Sequence, residues 1–246
     1  MLCVGSRKDE PKFGRSDAKI SGGIGYSRIA RRLFVTDVKI DGYRWRDAEL
    51  NASHGYLLPA LMAALRRIRA SNPSVNRIFD IGCGNGSVDY ALASEGWDVT
   101  GVDSSYEGIA EANKKYPEIK LYRGSAYDDL ASTYGQFSVV ISLEVVEHLY
   151  SPRDFAQNLF KLVVDGGYVI LSTPYHGYLK NLALAITGKF DTHFTALWDH
   201  GHIKFWSIKT LTDLLDEAGF VEIHFVRVGR ISPFAKSMIA IARKPL

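Results

Sequence analysis

Ile78-Phe79-Asp80-Ile81-Gly82-Cys83-Gly84-Asn85-Gly86 decides the fold. An apolar run of Ile78, Phe79 and Ile81 meets three glycines spaced two apart, with a helix pattern before it and another after it. A buried parallel strand that turns sharply into a helix reads this way. Each glycine removes a Cβ where the backbone must turn or lie against a ligand. A second acidic residue ends the next apolar run, Val99-Thr100-Gly101-Val102-Asp103. Its spacing of about 20 residues suits an open α/β sheet that binds a nucleoside at its carboxyl edge.

Outward from the loop, strand and helix patterns alternate. Ser53 to Arg69 carries an apolar stripe of Leu57, Leu61, Ala64, Leu65 and Ile68, with arginines in its last turns. Ser87 to Glu95 predicts the next helix, with Gly96 at its end. A helix over 107–116, stopped by Pro117, leads to a short strand at 119–123. Phe137 to Leu143 is apolar nearly throughout, as a central strand requires. Pro152 to Val164 predicts a helix, Asp165-Gly166-Gly167 its exit turn, and Tyr168 to Thr173 a fifth strand. A helix over 208–218, capped near Ser207 and ended by Gly219, precedes strands at 220–228 and 236–242. The short link between those two strands allows a hairpin. The expected architecture is a Rossmann-like sheet of seven strands, mostly parallel, with a C-terminal antiparallel hairpin. Residues 53–246 form one domain, 1–52 an N-terminal arm and substrate-side cover, and 175–206 an insertion after the fifth strand.

The arm is polar and glycine-rich at first, then basic at Arg28, Arg31 and Arg32, and ends on Tyr43 and Trp45. Those two aromatics can line a pocket or anchor the arm. The whole chain of 246 residues can bury one large core, and its charge of +3 is too mild to point to nucleic acid. Two cysteines, Cys3 and Cys83, make no disulfide framework, which places the chain in a reducing compartment, the cytoplasm. No apolar run is long enough to span a membrane, and Met1 to Glu10 has charges where a signal peptide needs an apolar core. Nothing in the sequence sets an oligomeric state.

Asp80 to Gly86 together with Asp103 resembles the class I S-adenosylmethionine-dependent methyltransferases. An acidic residue precedes the glycines, and the loop reads G-x-G-x-G, not the G-x-G-x-x-G of dinucleotide enzymes. The resemblance implies that Asp103 accepts the ribose hydroxyls of S-adenosylmethionine, with Ser104 beside it. It implies that Gly82 and Gly84 approach the amino acid end of the cofactor. Asp80 orders that loop or holds the cofactor ammonium through water. Ser125 and Ala126 fall where relatives place a pair against the adenine, although many relatives have an acidic residue there. Leu143 and Glu144 should lie beside the methionine portion.

A finer resemblance covers roughly residues 76–220. Phe137 to Ile141, Glu144-Val145-Val146-Glu147-His148, Gly166 to Pro174 and His202-Ile203-Lys204-Phe205 resemble the ubiquinone-biosynthesis O-methyltransferase branch of the type 11 and 12 methyltransferases. The first 70 residues depart from it, so the acceptor need not be a quinone precursor. That branch is known for a divalent ion, which implies Mg²⁺ or a similar ion on Glu144, Glu147 and His148. On a helical turn these three can point at one ion. The same residues equally suit packing and bonding to neighbouring loops.

Five of the seven histidines lie between His148 and His202, four of them, His176, His193, His200 and His202, in the aromatic-rich insertion. An insertion at the carboxyl edge can cover an acceptor pocket; a small hydrophobic subcore is the plainer reading. Tyr178 to Ile186 is apolar enough for peripheral membrane contact through 178–189. The expected activity is methyl transfer to a small molecule, at an oxygen of a phenolic, catechol or quinone-like metabolite. His148, His202 and His176, in that order, are the candidate bases. The competing classes are a tRNA, rRNA or protein methyltransferase, which lacks the expected binding domain or basic face, and a scaffold that binds the cofactor without turnover.

Overall fold

The computed structural model describes Trp45 and residues 47–194, 196–199 and 201–246. The expectations for the arm up to Arg44, including Arg28, Arg31, Arg32 and Tyr43, and those for Cys3 and His200 lie outside the described residues.

Seven strands form one sheet in the order β3-β2-β1-β4-β5-β7-β6. They are β1 Arg77–Ile81, β2 Asp98–Asp103, β3 Lys120–Arg123, β4 Phe137–Leu143, β5 Val163–Pro174, β6 Val221–Val228 and β7 Ser237–Arg243. β1 to β5 run parallel, and β7 pairs antiparallel with both β5 and β6. The order reverses between β1 and β4, and in such sheets ligands bind beyond the carboxyl ends at the reversal. The expected sheet and its hairpin are therefore the observed ones.

Eight helices flank the sheet among the described residues: α1 His54–Ser71, α2 Ser87–Ser94, α3 Tyr106–Lys115, α4 Leu130–Tyr134, α5 Pro152–Leu162, α6 Tyr178–Ile186, α7 Phe190–Phe194 and α8 Ile208–Glu217. The stripe of α1 packs with Leu92, Ile109 and Ala112 over Ile78, Val139 and Ile170 on one face. On the other face Phe155 and Leu159 of α5 and Leu211 and Leu215 of α8 cover Phe79, Val140 and Leu171. Alternation within each strand sends Ile78 to one layer and Phe79 to the other. At the end of α1, the Arg69 guanidinium stacks over Trp97 at 3.6 Å and donates to the carbonyls of Glu95 and Gly96 where α2 ends. Ser207 and Thr210 cap α8 reciprocally, and Gly219 leaves it at φ +99°.

Two details differ from the sequence reading. Asp165-Gly166-Gly167 is not a turn between elements; it lies inside β5, which begins at Val163 directly after α5. Val163 pairs with Phe137, Tyr168 pairs with Val139, and the glycines absorb the resulting bulge. Gly166 has φ +74°, and a Cβ on Gly167 would stand 2.8 Å from the Ser138 carbonyl. The sequence reading also contains no α4. At five residues it is too short for a periodic signal, and Asp129 starts it by accepting from the Ser132 amide at 3.3 Å.

Residues 175–206 hold α6 and α7, neither of which buries a side chain. Tyr178 and Ile186 of α6 are among the most exposed apolar side chains. Among the described residues no helix is long and apolar enough to cross a membrane.

Candidate active site

The register of β1 on β2 sets Ile81 opposite Val102, so Gly82 and Asp103 leave the sheet side by side. The amides of Gly82 and Cys83 both donate to the Val102 carbonyl, at 2.7 and 3.1 Å. Asp103 then holds the turn: Oδ2 accepts from the Gly84 amide at 2.9 Å and Oδ1 from the Ser105 amide at 2.7 Å. Ser105 in turn caps α3 through Gly108. Gly82, Gly84 and Gly86 have φ of +88°, +57° and +71°, a region that costs a side chain free energy. Space excludes a Cβ as well. One on Gly82 would overlap the Val145 side chain, and one on Gly84 the Trp45 ring. Trp45 thus lies on the loop, and Asn85 fastens the same segment by donating to the carbonyls of Asp47 and Glu49, each at 2.9 Å.

Three carboxylates surround the loop. Asp80 is buried, with Oδ1 lacking a hydrogen-bond partner. Burial first, then the charges of Asp89 and Asp103, push its carboxyl well above the usual range. Asp89 on α2 is fully buried with both oxygens unpartnered, and burial raises it to about 7. Ser104 is exposed beside Asp103. Past β3 the Ser125 hydroxyl accepts from the Tyr127 amide at 3.2 Å, and its own amide donates to Asp128 Oδ2 at 2.7 Å. Ala126 is half-buried next to it, its carbonyl accepting from Asn158.

β4 ends at Leu143, and Glu144 takes φ +57°, which a non-glycine residue seldom does. Its amide donates to the carbonyl and to the hydroxyl of Ser172 on β5, at 3.1 and 3.0 Å. Its carboxylate accepts from the Ser172 hydroxyl at 2.8 Å and the Ser237 hydroxyl at 3.3 Å. Burial raises Glu144 to about 7. A 3-10 turn, Val146–His148, follows. Glu147 is buried, its carboxylate oxygens unpartnered, and burial with the neighbouring Glu144 pushes it well above the carboxylate range. His202 Nε2 lies 3.9 Å from Glu147 Oε1, and the amides of Ile203 and Lys204 donate to the Glu147 carbonyl. His148 Nδ1 lies 3.2 Å from the Gly201 carbonyl oxygen, and its ring centroid 4.8 Å from that of His202. Glu147, His148 and His202 bring one ligand atom each within 4.8 Å of one another. Glu144, expected in an ion set, faces the two serines, and His202 takes a place in the group.

A cavity of about 370 Å³ opens at this end of the sheet. Glu144 and Ser237 border it, and residues 175–206 supply His176, Lys180, Phe194 and His202. Tyr56 of α1 and Arg230 of the β6–β7 link complete it from the other side. Burial holds His176 and His202 down at about 4, so both are neutral imidazoles near pH 7. Of the three candidate bases His176 and His202 border the cavity, and His148 stands beside His202. Sequence reasoning missed Tyr56, Lys180, Arg230, Lys236 and Ser237, which come from four separate stretches of chain. The signal it had was Lys180 alone in an apolar helix.

A family model for a methyltransferase domain matches residues 53–224. The ubiquinone biosynthesis O-methyltransferase of Psychrobacter arcticus is 28% identical over 193 residues, covering 76% of this chain and 74% of its own. That of a Caulobacter species is 40% identical over 116 residues, 46% of either chain. Among solved structures, magnesium protoporphyrin IX methyltransferase from Synechocystis superposes with a TM-score of 0.56 at 22% identity, over 76% of this chain and 80% of that one. The N-methyltransferase NodS from Bradyrhizobium japonicum gives 0.54 at 19% identity, over 76% and 96%. The structural likenesses speak for the fold; the matched domain speaks for the family. The chain belongs to the class I S-adenosylmethionine-dependent methyltransferases and is related to the ubiquinone-biosynthesis O-methyltransferases.

Proposed function

We propose that the protein methylates a hydroxyl oxygen of a small phenolic, catechol or quinone-like acceptor, held in the cavity with residues 175–206 as its lid. One observation carries the reading. The consecutive residues Glu144 and Val145 join the two halves of the site, Glu144 bordering the cavity and Val145 packing on Gly82 of the loop. The relatives in ubiquinone biosynthesis are O-methyltransferases by name, which supports oxygen as the target.

S-adenosylmethionine supplies a methyl group on a sulfonium, open to in-line displacement. The loop fits it: the buried Asp80 Oδ1 lacks a partner, and the exposed Ser104 adjoins Asp103 at the end of β2. Asp103 would hold the ribose hydroxyls with Ser104 beside it, Gly82 and Gly84 the amino acid end, and Asp80 the ammonium. Ser125 and Ala126 would flank the adenine, and Leu143 with Glu144 the methionine portion. His202 is the proposed base, with His176 in reserve. As the new carbon–oxygen bond forms, the acceptor hydroxyl becomes far more acidic, so an imidazole held neutral by burial suffices to take its proton. His148 would hold the His202 loop through Gly201.

The grouping of Glu147, His148 and His202 favours a second reading, a divalent ion there. One carboxylate and two imidazoles suit Zn²⁺ or Mn²⁺ better than Mg²⁺, which prefers oxygen ligands. Such an ion would lower the acceptor hydroxyl's pKa. Exhaustive chelation should then abolish turnover and one of these metals restore it; full activity after chelation removes the ion. The main reading is tested with labelled S-adenosylmethionine against phenols, catechols, amines, tRNA and protein. Label in an aryl methyl ether supports it. Label only in an amine, nucleic acid or protein overturns it.

A further inference from the structure

Three cationic side chains converge on the cavity from three places: Lys180 of α6, Arg230 of the β6–β7 link, and Lys236 just before β7. None of them forms an ion pair with a carboxylate of a described residue. Lys180 is half-buried, its ammonium donating to the Tyr175 carbonyl at 2.8 Å and the Lys236 carbonyl at 3.4 Å. An ammonium has three donors, so one remains. Lys236 sits 5.1 Å from the Tyr56 ring centroid, over its face. Among the described residues Glu144 is the one carboxylate bordering the cavity; two serine hydroxyls donate to it, and it and Lys180 feel each other's charge without forming an ion pair. The rings of Tyr56, Phe194 and Phe205 also line the cavity.

We propose that the methyl acceptor carries an anionic group, a carboxylate or a phosphate, which Lys180 and Arg230 bind with Lys236 at the rim, while the aromatic walls take its apolar body. This rests on the reading of the cavity as the acceptor site. Lys180 is half-buried beside the exposed Arg230, and the two like charges repel. Burial and the nearby Arg230 charge together hold the Lys180 ammonium at about 8. An anion relieves that repulsion and gains charge-assisted hydrogen bonds. A neutral acceptor would offer the remaining Lys180 donor no charged partner.

The test uses the full chain saturated with S-adenosylhomocysteine. Calorimetry measures binding of 3,4-dihydroxybenzoate, 4-hydroxyphenyl phosphate and the neutral methyl 3,4-dihydroxybenzoate. At least one anion should bind about 10-fold or more tighter than the ester, and the stronger of the two names its chemistry. Lys180→Gln and Arg230→Gln should each erase most of that preference while S-adenosylhomocysteine still binds. Equal binding of acid and ester, a preference that survives both substitutions, or binding of none of the probes overturns the proposal. Methyl transfer separates the two readings. Transfer to the ester with no preference for the acid keeps the acceptor site and removes the anion. Binding of the acid with no transfer to any probe keeps the anion site and removes the acceptor reading.

Discussion

Asp103 is tied into the loop, because its two oxygens accept from the amides of Gly84 and Ser105. Losing it frees the Gly84 amide and, in the proposed site, would remove a charged acceptor for two ribose hydroxyls. Asp103→Ala should therefore weaken S-adenosylmethionine binding by about 1 to 3 kcal/mol, read by calorimetry. A folded variant with unchanged affinity would dismiss the residue from the site. The base calls for a different readout. His202→Gln should lower kcat by about 10² to 10⁴ with cofactor affinity intact, and the deficit should shrink at high pH as the acceptor ionises alone. If His176→Gln costs the more, the proton goes to the reserve; if neither costs more than a few-fold, histidine base catalysis is wrong. Asp80, Gly82, Gly84 and Asp103 were legible because they lie on one loop and one strand end at a fixed spacing. The partnership of Glu147 with His202 was not. A tertiary contact joins them, the chain returning after 175–206 to donate from Ile203 and Lys204 to the Glu147 carbonyl.

At the scale of elements, strands and long helices were readable because burial imposes a period, as in β4 and in the stripe of α1. The bulge in β5 was not, because an Asp-Gly-Gly run reads as a turn whether or not a strand continues through it. Nor was the choice between two uses of Trp45. The structure seats it on Gly84 and Gly108, and Asn85 fastens the chain behind it. Trp45, Asp47 and Glu49 thus pack with the glycine loop as one unit. Gly84→Ala should suffer twice, from its positive φ and from collision with the Trp45 ring. The strain alone is worth roughly 1–2 kcal/mol. In a Trp45→Ala background the collision disappears and only the strain is left, so the two costs should not add. Urea unfolding of the four proteins measures the coupling. Strict additivity would show that Trp45 does not rest on the loop in solution.

Over the whole molecule, burial of ionisable groups sets opposing pH slopes on stability. His54 is held at about 4 against its ordinary 6.5, and His176 likewise. As pH falls below 6.5 the unfolded chain takes these protons and the native state does not. Their contribution is present above that pH and is lost towards about 4. Asp89 runs the other way. Its folded value of about 7 lies above the ordinary 3.8, so the native state holds a proton that the unfolded chain releases. That contribution is present below 3.8 and is lost as pH rises through 7. A tenfold difference in proton affinity between folded and unfolded chain is worth about 1.4 kcal/mol. After solvent screening at the partly exposed histidines, each of them moves stability by on the order of 2 kcal/mol across its window. In the native protein the two slopes partly cancel between pH 4 and 7. Glu144, raised to about 7, slopes the same way as Asp89, so Asp89→Asn should weaken the falling slope, leaving a protein whose urea midpoint climbs from pH 5 to 7 more steeply than the parent. His54→Gln should do the reverse and flatten the acid limb. Parallel profiles for the parent and Asp89→Asn would mean that Asp89 is ionised in the fold, with a partner or water reaching its two oxygens.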